Sequence, residues 1–181
     1  MNAQLEGYLD QLLSIRQQVP GLVAQLTETQ FKWLPGPKRW SMAHCFEHLN
    51  VAARAFVPTM DHTIEDARTR GLTGRGPFTY PMHERLFINF NEPPPRFRMP
   101  APAVLVPTPT KSMPEIVAEF MEWQDKFGDS MRRADGLDLR RARGRSPAFP
   151  LVKWSLGAQI AITLAHERRH LWQARQVRNA L

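Results

Sequence analysis

SMAHCFEHLNVAARAFVPTM, residues 41 to 60, places Met42, Cys45, Phe46, Leu49, Ala53, Phe56, Val57 and Met60 at intervals of three and four. That spacing gathers apolar side chains on one side of an α-helix, where a turn takes about 3.6 residues. Ser41 stands where an N-cap belongs, its hydroxyl oxygen free to accept from an orphan amide of the first turn. The pattern ends at the glycines 71, 74 and 76. It predicts a helix of roughly 28 residues, about 40 Å long at 1.5 Å per residue.

Three further stretches share this patterning. Upstream, Leu5, Leu9, Leu12 and Leu13 recur at helical spacing, and Leu22, Val23 and Leu26 continue the face past Pro20-Gly21. The first helix is therefore expected to be long and kinked at the proline, with TETQFKW, residues 27 to 33, as its final turn. Downstream, Ser112-Met-Pro-Glu115 reads as a capping box with proline in the first turn, opening a third helix striped by Ile116, Phe120, Trp123, Phe127 and Met131. A fourth helix opens at Trp154 or Ser155 and carries Leu156, Ile160, Thr163, Leu164, Leu171 and Val177.

Four long amphipathic helices with little strand signal predict an all-α four-helix bundle. The second and third helices are separated by a long connector whose later part, EPPPRFRMPAPAVLVPTPT at residues 92 to 110, cannot be helical, because proline lacks the amide hydrogen and clashes with the preceding turn. A short helix around Met82 to Phe90 is the one regular element expected within it. The connector is long enough to run the length of the bundle, so helices two and three could lie parallel; spacing alone leaves the topology open. Its stiff prolines either fold over one end of the bundle as part of a pocket or serve as a plain crossover.

With 181 residues the chain suits one domain, residues 1 to 181. A single cysteine, Cys45, excludes an intramolecular disulfide and reads as a small buried apolar residue. The start, MNAQLEGYLDQLL, intersperses Glu6 and Asp10 among leucines, unlike a signal peptide, and no stretch reaches the roughly 20 apolar residues of a membrane span. A soluble cytoplasmic protein with no membrane partner is expected. The formal charge of +7 comes from arginines concentrated in the last third. RRADGLDLRRARGR, residues 132 to 145, is broken by acidic residues and glycine and has no aromatic for base stacking, which weighs against nucleic acid and leaves an anionic small-molecule substrate open.

The chemistry concentrates in HERRH, residues 166 to 170. His166 and His170 stand four apart, one above the other on a helix, able to grip one metal ion. The letters match the H-E-x-x-H of zinc proteases, but those enzymes take a third ligand downstream, and LWQARQVRNAL after His170 has no His, Asp, Glu or Cys. A third ligand must come from upstream. His48 borders the apolar stripe of helix two, two turns from its start, where it looks across the bundle at helix four. His44, one turn nearer the cap, is either a fourth ligand, a partner of the ligands or a polar residue at the mouth of the cleft. His62 lies about 21 Å further along the same helix than His48 and cannot share its ion, and His83 reads as surface. Gln173 returns to the face of the two histidines and is placed to orient a ligand or substrate. Glu167 is rotated about 100° away and would serve as a base only if the cleft wraps round that side. Arg168 and Arg169 suit a solvated face. Three neutral imidazoles leave a coordination position open for reaction.

WSMAHCFEHLN, residues 40 to 50, together with HERRHLWQA, residues 166 to 174, resembles the DinB-like superfamily of bacterial four-helix bundles, which includes bacillithiol S-transferases and mycothiol-dependent maleylpyruvate isomerases. The likeness extends to QFKWLPGPKRW before helix two and to EPPPRFRMPAP. It implies a metal triad of one histidine from helix two and two from helix four, here His48, His166 and His170. Zinc or nickel as the divalent ion, and a homodimer, are also implied. The expected function is a metal-dependent enzyme acting on small molecules, such as a transferase moving a low-molecular-weight thiol. The alternatives are a metal-dependent hydrolase and a non-enzymatic stress-response binding protein.

Overall fold

The computed structural model describes residues 1–95, 97 and 100–181. Its helices are α1 (Ala3–Val23), α2 (Glu28–Lys32), α3 (Met42–Thr69), α4 (Met82–Asn91), α5 (Met113–Arg133) and α6 (Leu156–Arg178). A 3-10 turn spans Ala103–Leu105, and strands β1 (Arg143–Arg145) and β2 (Lys153–Ser155) precede α6. The expected all-α bundle is present, with α1, α3, α5 and α6 as its four long helices.

The caps fall where the sequence puts them. Ser41 Oγ accepts from the amide of His44 at 3.2 Å and starts α3, which is 28 residues long. The Ser112 amide donates to Glu115 at 2.8 Å and starts α5. The Ser155 side chain accepts from the Ala158 amide, so Ser155 is the cap of α6 and Trp154 belongs to β2. The first helix differs from expectation. It runs through Pro20-Gly21 but ends at Val23, because Gln25 adopts a left-handed φ of 61° that no α-helix tolerates. Thr27 and Gln30 then form a capping box of their own, so TETQFKW begins a new helix, α2, and Leu26 lies between the two.

Helix α3 packs on both α5 and α6, and α1 packs on the same two. Along α3 and α5 the contacts rise together: Asn50 donates to the Ile116 carbonyl at 3.0 Å, Arg54 to Glu119 at 2.7 Å, and Ser130 to Asp61 at 2.5 Å. These helices are therefore parallel. Helices α1 and α6 are parallel too, since Arg168 bonds Gln11 at 2.9 Å and Arg175 bonds Gln18 at 2.8 Å. Two parallel neighbours cannot be joined by a tight turn, so the chain from Arg70 to Ser112 returns along the bundle before α5 begins. Of that connector, Arg96, Arg98 and Met99 lie outside the described residues.

The core binds these helices through large apolar side chains. Phe46 of α3 meets Phe31 at 5.9 Å and Phe120 of α5 edge-on at 5.5 Å, and all three are essentially inaccessible. Aromatic pairs of this geometry add about 0.5–1.5 kcal/mol beyond the area they bury. Cys45 is buried among them, as expected.

The Arg-rich loop contains a hairpin that the sequence did not announce. Arg143 pairs with Ser155, Gly144 with Trp154 and Arg145 with Lys153, antiparallel. Glu84 of α4, wholly buried, accepts from the Arg143 guanidinium at 2.9 Å and from the Ser155 amide at 3.0 Å. One carboxylate thereby ties α4, the hairpin and the start of α6 together. Gly144 is obligatory here: a Cβ would meet Thr63 Oγ1 of α3 at 2.0 Å.

Candidate metal centre

Helices α3 and α6 cross with His48 facing His166 and His170. One nitrogen from each ring lies within 4.8 Å of those from the other two. The rings are 4.9 Å apart for His48–His166, 4.5 Å for His48–His170 and 4.6 Å for His166–His170. His48 and His170 are buried and His166 half-buried. This group of three could hold a metal ion.

Its hydrogen bonds fit that role. His48 Nδ1 lies 2.7 Å from the Leu105 carbonyl oxygen, which can only accept, so the proton sits on Nδ1. In the neutral ring Nε2 then presents a lone pair, and it points at His166 Nε2 at 3.0 Å. A backbone carbonyl that fixes the tautomer of a ligating histidine is the usual outer support of a metal site. Among the described residues His170 Nδ1 is buried without a hydrogen-bond partner, leaving an unsatisfied polar atom in the cluster. Burial holds all three imidazoles below the ordinary value of 6.5, His166 at about 3, with the neighbouring rings adding to the effect for His166 and His170. The neutral ring is the ligating form.

Trp40 closes one side of the group, its ring 4.9 Å from His48 and stacked at 5.6 Å on His170. The histidines open onto a cavity of about 840 Å³. Gln173 lines it, on the same face of α6 as His170. His44 does not enter the group. Its Nδ1 bonds Ser41 Oγ at 2.7 Å, and it is not among the residues lining the cavity. A ring spent on the helix cap is turned away from the metal position. His62 and His83 are exposed, as expected.

Three features decide or correct what the sequence left open. Glu167 does line the cavity: it is buried, accepts from Gln124 of α5 at 2.8 Å, and has Oε2 without a partner among the described residues. Burial pushes its carboxyl up to about 8. Arg168 and Arg169 are not on a solvated face. Arg168 pairs with Glu92, and Arg169 donates to the carbonyls of Phe90 and Phe97, each at 3.1 Å. Finally, the connector takes part in the site, since Pro95, Pro102 and Leu105 line the cavity and Leu105 supplies the carbonyl to His48. Trp40 and Leu105 lie outside every apolar stripe read from the sequence, so nothing there pointed to a neighbouring imidazole.

No helix of the described residues is long and apolar enough to cross a membrane. Comparison with curated proteins and with solved structures finds no match. A family model, that of the DinB superfamily, matches residues 11–174. The match takes in the whole of α3, the connector, α5 and α6 as far as Ala174, and so all three histidines. On that extent, the chain belongs to the DinB superfamily.

Proposed function

We propose that this protein is a metal-dependent enzyme acting on small molecules, with one divalent ion, zinc or nickel, held by His48, His166 and His170. The observation that carries this is the pair of Nε2 atoms of His48 and His166 facing each other at 3.0 Å, one of them fixed as a lone pair by the Leu105 carbonyl. Three protein ligands leave a divalent ion an open position, where it would lower the pKa of a bound thiol or water.

The favoured reaction is transfer of a low-molecular-weight thiol to an electrophile. The thiol gives up its proton to solvent, its sulfur bonds the electrophilic carbon, and the leaving group departs with its electron pair and takes up a proton from solvent. The chain's own residues supply position: Trp40 packs on the rings of His48 and His170, and the Leu105 carbonyl fixes a tautomer. A second reading, hydrolysis, is favoured by Glu167, which lines the same cavity with one carboxyl oxygen free.

Metal analysis of the purified protein tests the proposal: one zinc or nickel per chain is expected, lost in His48→Ala and in His166→Ala. Absence of stoichiometric metal, or unchanged affinity in both variants, would falsify it. A panel of electrophiles assayed with and without added thiol separates transfer from hydrolysis, since only transfer depends on the thiol.

A further inference from the structure

The charges that line the cavity gather around the histidines. Lys38 and Arg39 precede Trp40, which stacks on His170, and Glu167 and Arg169 neighbour the histidines along α6. Away from these, among the described residues, no charged side chain lines it.

The course of the uncharged part follows from the helices. His48 of α3 faces His166 of α6, and further on Thr63 of α3 lies beside Gln159 of α6, since a Cβ on Gly144 would meet their side chains at 2.0 and 2.9 Å. The two helices therefore run antiparallel from the histidines toward the β1–β2 hairpin. Ala52 and Phe56 repeat the face of His48 at intervals of four, and Ile162 stands four before His166; all three line the cavity in that direction. From Leu156, at the start of α6, to His166 is ten residues, about 15 Å.

Helix α4 supplies a further wall along the same course. Phe90, Phe87 and Trp154 follow one another with ring centres 6.4 and 5.0 Å apart and planes 22° and 20° from parallel. The row begins at Phe90, whose ring centre is 5.6 Å from the Arg169 guanidinium, and ends at Trp154 in β2. The polar side chains on this stretch turn back on their own helices: Thr163 donates to the Gln159 carbonyl at 2.9 Å and Asn91 to the Phe87 carbonyl at 2.8 Å. The lining is thus apolar from the histidines to the hairpin.

We infer that this limb of the cavity takes an unbranched aliphatic chain, the tail of a small molecule whose polar head lies at the histidines. A compact ligand held at the histidines would leave the apolar wall to water, whereas an extended chain covers it along its length. The whole cavity, about 840 Å³, is of the size that holds a drug-sized molecule. This names the substrate class of the site proposed above, and rests on that reading only for what happens to the head. Capture of the tail belongs to side chains outside the metal group and needs no metal.

Calorimetric titration with hexanol, octanol and decanol tests it, on metal-free and zinc-loaded protein alike, with adamantanemethanol as a probe that packs its carbons into a cage. One molecule per chain is expected to bind, about fourfold tighter for each added methylene. Decanol should bind at least about fourfold tighter than adamantanemethanol. Phe56→Glu places a carboxylate about 12 Å along α3 from His48, and Ile162→Trp fills the limb without a charge; each should flatten the dependence on chain length. Leu86→Ser, on the exposed side of α4 and outside the cavity, should leave the series unchanged. Affinity indifferent to chain length, adamantanemethanol bound as tightly as decanol, a length dependence that survives both limb variants, or one lost in Leu86→Ser overturns the inference. Zinc bound stoichiometrically without a length dependence sinks this inference and spares the proposed function; a length dependence in a protein that holds no metal does the reverse.

Discussion

His48 shows how much one hydrogen bond decides at the scale of a residue. The carbonyl of Leu105 fixes its proton on Nδ1 and leaves Nε2 to face His166. The three histidines were legible beforehand, His166 and His170 through their helical spacing and His48 through its place beside the apolar stripe of α3, because these depend only on periodicity. The sequence did not disclose Leu105, Trp40 or the burial of Glu167, because these depend on which helices cross and where the connector lies. A pH dependence follows from the imidazoles. In the metal-free protein they are held below 6.5 by burial, whereas in the unfolded chain they titrate near it. Below pH 6.5 the unfolded state binds more protons, so stability present above that pH is lost as pH falls toward about 3, by at most about 1.4 kcal/mol per pH unit for each proton. Urea unfolding between pH 7.5 and 5 should show this slope, reduced in His166→Ala; an identical slope in the variant would show that the ring titrates no differently in the folded protein.

At the scale of the element, the caps were readable because capping is local chemistry: Ser41, Ser112 and Ser155 each begin a helix just where an apolar stripe starts. Ser41 has a second role, since its hydroxyl also bonds the ring of His44 and so keeps that residue at the cap. Ser41→Ala should cost about 1 kcal/mol, read as a lower urea midpoint at unchanged m-value. A variant with the same midpoint would mean that α3 needs no cap. The hairpin of β1 and β2 was not readable. Its strands are three residues long, too short for an alternating pattern, and it is held by Glu84 from a helix about 60 residues earlier in the chain. The end of α1 was missed for a related reason: the left-handed Gln25 carries no glycine or asparagine to announce it.

At the scale of the whole molecule, the parallel pairing of α3 with α5 makes the long connector necessary, and the connector in turn covers the histidines with Leu105 and its prolines. Bundle topology and site architecture thus have one cause. The sequence showed a connector of sufficient length, but the choice between parallel and antiparallel packing lay in contacts between distant helices. An ion bound between α3 and α6 joins segments 118 residues apart and binds only the folded state. Zinc at about 100 times its dissociation constant should therefore add about 2.7 kcal/mol of stability, reversed by a chelator. An unfolding midpoint indifferent to both would argue that no such link exists. The central claim, one ion on three imidazoles, is tested most directly by X-ray absorption spectroscopy of the zinc-loaded protein. The predicted spectrum has three imidazole nitrogens at about 2.0–2.1 Å, one of them lost in His48→Ala; a first shell containing sulfur, or one left unchanged by that substitution, would contradict the account.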